Sequence, residues 1–322
     1  IWAGFGGRGF DMIDPENPAT LYVGYDKLWK TTNRGASWTQ LGSITSTNDK
    51  FRSMAICQSN NDVMLVADLK KVYKTSNGGT NWSEVTANIS TTNNITNVAI
   101  HAENPEIMWA TTGGYAPSRV YQSTNGGTSW VDISEGLPQI PVYTLVHNKL
   151  QTEDLEIYIG TELGIYMKRG DSEWIPFMKG LPNVVVTELE IYYGSDIASS
   201  KLRAATFGRG LWESELFAVE SEFSATPTSG ELPLDVVFTN LSKNANIFFW
   251  SFGDGTTTTD SNPTHSYNTE GVYDVALTAA CDFESAFTKK TGYITILGNA
   301  IEYAEESSFS IYPNPGNGIF TI

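Results

Sequence analysis

Thr31-Thr32-Asn33-Arg34-Gly35-Ala36-Ser37-Trp38, Thr75-Ser76-Asn77-Gly78-Gly79-Thr80-Asn81-Trp82 and Ser123-Thr124-Asn125-Gly126-Gly127-Thr128-Ser129-Trp130 are three copies of one pattern, 44 and 48 residues apart. A fixed period in this range marks a repeat architecture. Each copy follows an apolar-aromatic stretch, Leu28-Trp29-Lys30, Val72-Tyr73-Lys74 or Val120-Tyr121-Gln122, and precedes another short strand. The pattern is therefore a hairpin turn. Asn can bond its own backbone two residues on, Gly supplies positive φ, and the Ser/Thr hydroxyl can bond across the same turn. The closing Trp is predicted to point back into the sheet as an apolar anchor. A motif present in successive repeats builds scaffold, so chemistry is expected where the repeats differ.

The flanking sequence repeats as well. Met12-Ile13-Asp14-Pro15 through Leu21-Tyr22-Val23-Gly24 reads as strand, Pro-Asn turn, strand. Val98 through Ala110 repeats it, and Ala55 through Val66 is a looser copy. A fourth repeat begins near Thr144 and keeps only Trp174 of the pattern, within Met167-Lys168-Arg169-Gly170-Asp171-Ser172-Glu173-Trp174. A fifth runs from Glu188 to Trp212. Ile13, Ile56, Ile100, Val146 and Ile191 fall 43, 44, 46 and 45 residues apart. Short strands with turns at this spacing predict four-stranded propeller blades.

The motif (Thr31, Asn33, Gly35, Trp38; Thr75, Asn77, Gly79, Trp82; Ser123, Asn125, Gly127, Trp130) resembles the Asp-box, or bacterial neuraminidase repeat, of sialidase-like and sortilin-like β-propellers, with Asn in place of Asp. The resemblance implies that these residues are structural and lie away from the ligand face. No fourth strand follows Trp212, and the chain starts without Met or a signal peptide. The expectation is a ring closed by a strand from residues 1–5 or upstream, with at least five blades and an incomplete N-terminal side.

From about Ser221 the texture changes. Phe249-Trp250-Ser251-Phe252-Gly253-Asp254-Gly255, Pro263-Thr264-His265-Ser266-Tyr267 and the alternating Tyr273, Val275 and Leu277 resemble a polycystic-kidney-disease (PKD) domain. That resemblance implies an immunoglobulin-like β-sandwich acting mainly as a spacer, with Trp250 and Tyr267 in the core, Asp254 in a turn and His265 structural. Tyr312, Pro313, Asn314, Pro315 and Gly318 resemble the opening of a type IX secretion C-terminal sorting domain. This implies an outer-membrane translocon as partner and export to the surface or medium of a Gram-negative, Bacteroidota-type bacterium. The expected organisation is all-β: propeller over 1–218, sandwich over 221–297, linker over 298–307 and truncated sorting signal over 308–322.

Net charge is −16, so a basic footprint for nucleic acid is missing. No apolar run reaches the roughly 18 residues of a membrane span. Cys57 and Cys281 read as small buried hydrophobes, and His101, His147 and His265 show no metal-ligand spacing. No cofactor is expected. The turns between second and third strands, with the blade-to-blade connections, should form the ligand face. They supply Tyr25, Tyr115, Arg119, Phe207 and Arg209 as binding candidates, since rings can stack on sugar faces and charged groups can bond hydroxyls. A glycosidase would need two carboxylates, and Asp26, Asp68 and Glu162 are the candidates. A sialidase would need three converging Arg, whereas the chain holds seven in all. The expectation is a non-catalytic, exported propeller that binds a glycan or surface protein. The alternatives are a glycoside hydrolase of xyloglucanase-like or sialidase-like type, and a structural subunit of an outer-membrane assembly.

Overall fold

The computed structural model describes residues 10–151, 154–195, 199–281 and 284–298. The chain divides into two compact units, Ile1–Leu216 and Phe217–Ile322. All regular elements among the described residues are β-strands. The strand expected from residues 1–5, the linker beyond residue 298 and the sorting motif at 312–318 lie outside the described residues.

The first unit holds five consecutive antiparallel sheets. Blade one is Phe10–Ile13, Leu21–Gly24, Lys27–Thr31 and Thr39–Thr45; blade two is Ser53–Cys57, Asn60–Ala67, Val72–Thr75 and Ser83–Glu84. Blade three is Ile95–Ile100, Met108–Thr112, Val120–Ser123 and Val131–Asp132; blade four is Val142–His147, Glu156–Thr161, Gly164–Arg169 and Ile175–Pro176. Blade five has three strands, Val186–Tyr192, Lys201–Thr206 and Gly210–Glu215. The five periodic aliphatics all fall in first strands, as the spacing requires. First strands of successive blades pack side by side and line the axis. Polar groups tie them together there: the Ser53 hydroxyl accepts the Val98 amide at 3.1 Å, and the Thr96 hydroxyl donates to the Val142 carbonyl at 2.7 Å.

Each box is a closed hydrogen-bonded turn. In blade one the Thr31 hydroxyl donates to Asn33 Oδ1 at 2.8 Å and accepts the Gly35 amide at 3.0 Å, while Asn33 Oδ1 accepts the Ser37 amide at 2.9 Å. The same bonds recur around Thr75 and Ser123. Asn does more than replace Asp: the Asn33 and Asn125 Nδ2 groups donate to Ser37 and Ser129 Oγ at 2.9 and 2.8 Å, which a carboxylate cannot do.

The Trp departs from the expected inward anchor. In blades three and four it reaches the preceding blade: Trp130 Nε1 donates to the Val85 carbonyl and Trp174 Nε1 to the Ile133 carbonyl, both at 2.7 Å, whereas Trp82 Nε1 donates to the Gly79 carbonyl of its own turn at 3.1 Å. Val85 and Ile133 each lie three residues after the previous blade's Trp. The box glycine presses on the equivalent residue. A Cβ on Gly79 (φ +88°) would fall 2.5 Å from Leu41 Cγ, so only glycine fits. The boxes of blades two and three are thus each half of a clasp between blades, with Gly79 against Leu41 and Gly127 against Val85. Apolar clusters that mix both partners sit under them, Leu28 with Met54, Ile56 and Trp82, and Val72 with Val98, Tyr121 and Trp130.

Blade four lost the box but kept the clasp. Where Met64 faces Thr75 and Met108 faces Ser123, Glu156 faces Arg169. Both are buried, at 1% and 4% exposure, with Arg169 Nε 2.9 Å from Glu156 Oε2. Asn148 Nδ2 and Tyr158 OH donate to the other carboxylate oxygen at 2.9 and 2.7 Å. A buried ion pair with its remaining lone pairs satisfied can fill the site that a methionine and a hydroxyl residue fill in the other blades, whereas one partner alone cannot.

On the box side of the axis, the His101 and His147 rings lie tilted against each other with centroids 5.1 Å apart, and His147 stacks on Trp109 at 5.4 Å. His147 Nε2 accepts the Ala102 amide at 2.9 Å, and His101 Nδ1 accepts the amides of Glu103 and Asn104. Both rings are therefore neutral. Burial, then the nearness of the second imidazole and of Lys149, which would repel a proton on His147, push His147 down to about 3.

The second unit is a sandwich. One sheet orders Phe223–Thr226, Leu234–Asn240 and Thr264–Tyr267; the other orders Ser229–Glu231, Glu284–Leu297, Gly271–Cys281, Ile247–Ser251 and Thr257–Thr258. Its two signature motifs bind each other. His265 stacks on Phe252 at 4.2 Å and reaches Asp254 Oδ2 at 2.7 Å, while the Tyr267 hydroxyl donates to the Phe252 carbonyl at 2.9 Å. Gly253, at φ +86°, leaves no room for a Cβ against the Asp274 carbonyl. Trp250 is fully buried among Phe223, Phe238 and Leu277. Cys57 and Cys281 are free thiols, the first buried and the second half-buried.

Two outcomes follow for stability. Arg169→Ala leaves Glu156 unpaired and should cost roughly 3–5 kcal/mol in chemical denaturation of the chain. The double change Glu156→Met with Arg169→Ser, which copies blade three, should recover most of that loss. Acid should weaken the first unit through His147. Its folded pKa lies below the unfolded value, so the unfolded chain takes up the proton first and stability falls as pH drops from about 6.5. Between pH 6.5 and 5, His147→Gln should reduce the decline in unfolding free energy by on the order of 1 kcal/mol; parallel curves of stability against pH would refute the assignment.

Candidate functional site

The two faces of the first unit are set by main-chain bonds. The boxes bond to the turns between first and second strands or to the start of the second strand: Arg34, Gly78, Gly126 and Gly170 amides donate to Ala19, Asp62, Glu106 and Leu155 carbonyls. The opposite face joins blade connections to the second–third turns: Phe51, Ile95, Glu162 and Phe207 amides donate to Tyr25, Leu69, Pro141 and Val185 carbonyls. The candidate residues fall in these second–third turns, but the turns present them differently.

Asp68 is fully buried and caps its own turn. Its Oδ1 accepts the Lys70 and Lys71 amides at 2.8 Å each, and Oδ2 accepts the Ser46 hydroxyl at 3.2 Å. A carboxylate spent this way is a turn former, so Asp68 is not open to a ligand. Arg119 is also turned inward, at 1% exposure, and bonds the Ala116 and Leu137 carbonyls. Burial pulls its guanidinium below the usual range. Sequence spacing placed both residues in the right turn, but turn position does not reveal side-chain direction.

The remaining candidates are accessible. Tyr25 is 46% exposed with Lys50 Nζ 5.5 Å from its ring centre, and Asp26 beside it is exposed. Phe207 is 64% exposed, and Arg209 follows it in the same turn. Tyr115 and Glu162, from neighbouring blades, are brought together: the Tyr115 hydroxyl lies 2.9 and 3.2 Å from the two Glu162 oxygens. That hydrogen bond, then the charge of Glu162, raises the Tyr115 phenol above its ordinary range. Tyr143, at the start of the blade-four inner strand, is half-buried, and burial followed by Glu162 raises it too. Glu188, on the inner strand of blade five, is half-buried, and burial, then Glu190, pushes its carboxyl up. Sequence reading passed over Tyr143 and Glu188 because both sit inside strands.

Among the described residues the arginines do not converge as a clamp. Arg34 belongs to a box, Arg52 pairs with Asp49, Arg169 with Glu156 and Arg203 with Glu213. With Arg119 turned inward, Arg209 is the described arginine that a ligand-face turn presents. The arrangement offers rings, a phenol–carboxylate pair and exposed carboxylates, which suits hydroxyl-rich ligands better than anions.

Two family models match separate parts of the chain. The model for sortilin and neurotensin receptor 3 matches residues 26–162, and the PKD-domain model matches 218–296. The curated collagenase ColA of Bacillus cereus is 51% identical over 39 residues, which cover 12% of this chain and 4% of that protein. The GH74 xyloglucanase of Xanthomonas campestris is 10% identical, with 91% of this chain and 55% of that one covered, at TM-score 0.48. The PKD1 domain of the Vibrio cholerae metalloprotease PrtV is 32% identical, with 25% of this chain and 98% of that one covered, at TM-score 0.21. The chain thus spans about half the xyloglucanase structure and a small fraction of the collagenase. The repeated sheets, the interlocked sandwich motifs and the two family matches together show a β-propeller followed by a PKD domain.

Proposed function

We propose that the propeller is a binding module for a neutral glycan, carried with its PKD domain on an exported protein. The Tyr115–Glu162 pair supports this reading most directly. A ring 62% exposed stands beside a carboxylate from the next blade, on the face opposite the box clasps. A ring of this kind can stack on a sugar face while the carboxylate accepts its hydroxyls. The exposed Phe207 and Tyr25 extend the same chemistry to other turns of that face. The net charge of −16 favours a neutral over an acidic polysaccharide. Export by a type IX outer-membrane translocon to the surface of a Bacteroidota-type bacterium belongs to the same reading and rests on the 312–318 motif.

The full chain should bind neutral oligosaccharides on a glycan array. Titration calorimetry should show at least a tenfold loss of affinity for Tyr115→Ala and for Glu162→Gln. Binding that survives both changes would overturn the choice of site. Reducing-sugar release from plant polysaccharides, abolished by Glu162→Gln or Glu188→Gln, would replace the binding reading with the hydrolase one. In the producing bacterium, Pro313→Ala with Pro315→Ala should hold the protein in the periplasm; unchanged surface display would refute the export assignment.

A further inference from the structure

Tyr115 stands on the longest of the second–third turns, 113–119, and a turn of that length does not hold a side chain in place by itself. Its base is closed by main chain and a hydroxyl: the Thr112 amide donates to the Arg119 carbonyl at 2.8 Å, and Thr112 Oγ1 donates to the Ser118 carbonyl at 3.3 Å. On the blade-two side the Gly113 amide donates to the Asn94 carbonyl at 2.9 Å, and Gly114, at φ +82°, backs onto Asn93 with no room for a Cβ. On the blade-four side the tie is a side chain. The Arg119 guanidinium donates through Nη1 to the Ala116 carbonyl and through Nη2 to the Leu137 carbonyl, the latter at 3.2 Å.

These two carbonyls lead to the two halves of the Tyr115–Glu162 pair. Ala116 follows Tyr115 directly and precedes Pro117, whose ring restricts the backbone before it, so holding the Ala116 carbonyl holds the tyrosine. Leu137 belongs to the connection 133–141, and at the far end of that connection the Pro141 carbonyl accepts the Glu162 amide at 3.2 Å. Ser134 Oγ anchors the start of the same connection, accepting the Arg119 and Val120 amides at 2.8 and 2.9 Å. A guanidinium is a costly choice for this span. Arg119 is 1% exposed, and among the described residues its Nε has no acceptor and no carboxylate pairs with it. Asp132, whose charge reaches it, is exposed and gives Oδ1 to the Ser134 amide. A buried charge without a counter-charge lowers stability, and such costs are kept where a site needs its groups placed.

We propose that Arg119 is the positioning residue of the Tyr115–Glu162 site, pinning the turn tip to the connection between blades three and four so that phenol and carboxylate are aligned before a glycan arrives. Arg119 touches no ligand itself, since it is buried. It acts by removing freedom from the tip in the free protein, freedom that a ligand would otherwise have to freeze. The planar fork suits this task, because Nη1 and Nη2 reach carbonyls of two different segments at once. The role given to the pair rests on the glycan reading above, whereas its pinning belongs to the free protein and is measured without sugar.

NMR of the full, sugar-free chain, with tyrosines carrying carbon-13 at Cζ, reads the pinning directly. The Tyr115 signal is assigned by its loss in Tyr115→Phe. In the parent its phenol should titrate above the ordinary range, and Glu162→Gln should return it to that range. Arg119→Met should lower it as far as Glu162→Gln does, and Arg119→Lys, which keeps the charge without the fork, should lower it part of the way. On an array of neutral oligosaccharides, Arg119→Met should raise the half-saturating protein concentration at least tenfold for the sugars the parent binds. Tyr115→Ala combined with Arg119→Met should bind no worse than Tyr115→Ala alone, because the arginine acts through the tyrosine. A Tyr115 phenol that titrates as in the parent in folded Arg119→Met, or in Arg119→Lys should the first not fold, overturns the proposal. So does an Arg119→Met loss that persists in the Tyr115→Ala background. A shifted phenol in a chain whose parent binds no sugar supports the pinning and removes the glycan reading instead.

Discussion

The propeller depends on the contact between a box and the blade before it. A glycine without a Cβ lets the turn settle on an aliphatic side chain of the preceding blade, and in blade three Trp130 also bonds the carbonyl of that residue, Val85. Apolar burial beneath supplies most of the energy, at about 25 cal/mol per Å² removed from water. The indole bond fixes the geometry. Remove the contact and each sheet is a short meander with one uncovered face, too small to stand alone. Blade four shows which part is indispensable. Its turn has lost the Asn and Gly ladder, and an ion pair holds the strand ends, yet Trp174 still bonds Ile133. Stability in such a series is a sum of nearest-neighbour seams.

The fold was legible because scaffold chemistry repeats. Box spacing points to the blades, the even spacing of the five aliphatics to their first strands, and the Trp-x-Phe-Gly-Asp-Gly string to the sandwich. The Trp carries two roles that one sequence encodes alike. A hairpin anchor and an inter-blade clasp have the same sequence, and only the offset of three to an aliphatic residue separates them. The site was legible to the level of turns. Tyr115 and Glu162 lie 47 residues apart, about one repeat, so their meeting was implied by the period. Asp68 and Arg119 show where that reasoning stops. A carboxylate at a turn may accept its own amides or face solvent, and sequence does not distinguish the two.

The PKD domain reads differently. Its motifs are close in space as well as conspicuous in sequence, since His265 is sandwiched between Phe252 and the edge of Tyr267 while holding Asp254. Desolvation opposes ionisation of Asp254, but Thr256 and His265 outweigh it and hold the carboxyl below its usual range. These residues are consumed by their own packing.

The box asparagines carry a chemical consequence for the age of the protein. Asn77-Gly78 and Asn125-Gly126 are sequences in which the following amide nitrogen can attack the side-chain carboxamide, with no side chain in the way. In the folded turn that nitrogen is engaged, donating to Asp62 from Gly78 and to Glu106 from Gly126, and the carboxamide oxygen holds two donors. Deamidation therefore waits on opening of the turn. Each conversion to aspartate or isoaspartate would leave a permanent mark of an opening event, so the boxes act as slow chemical recorders of how often the blades come apart.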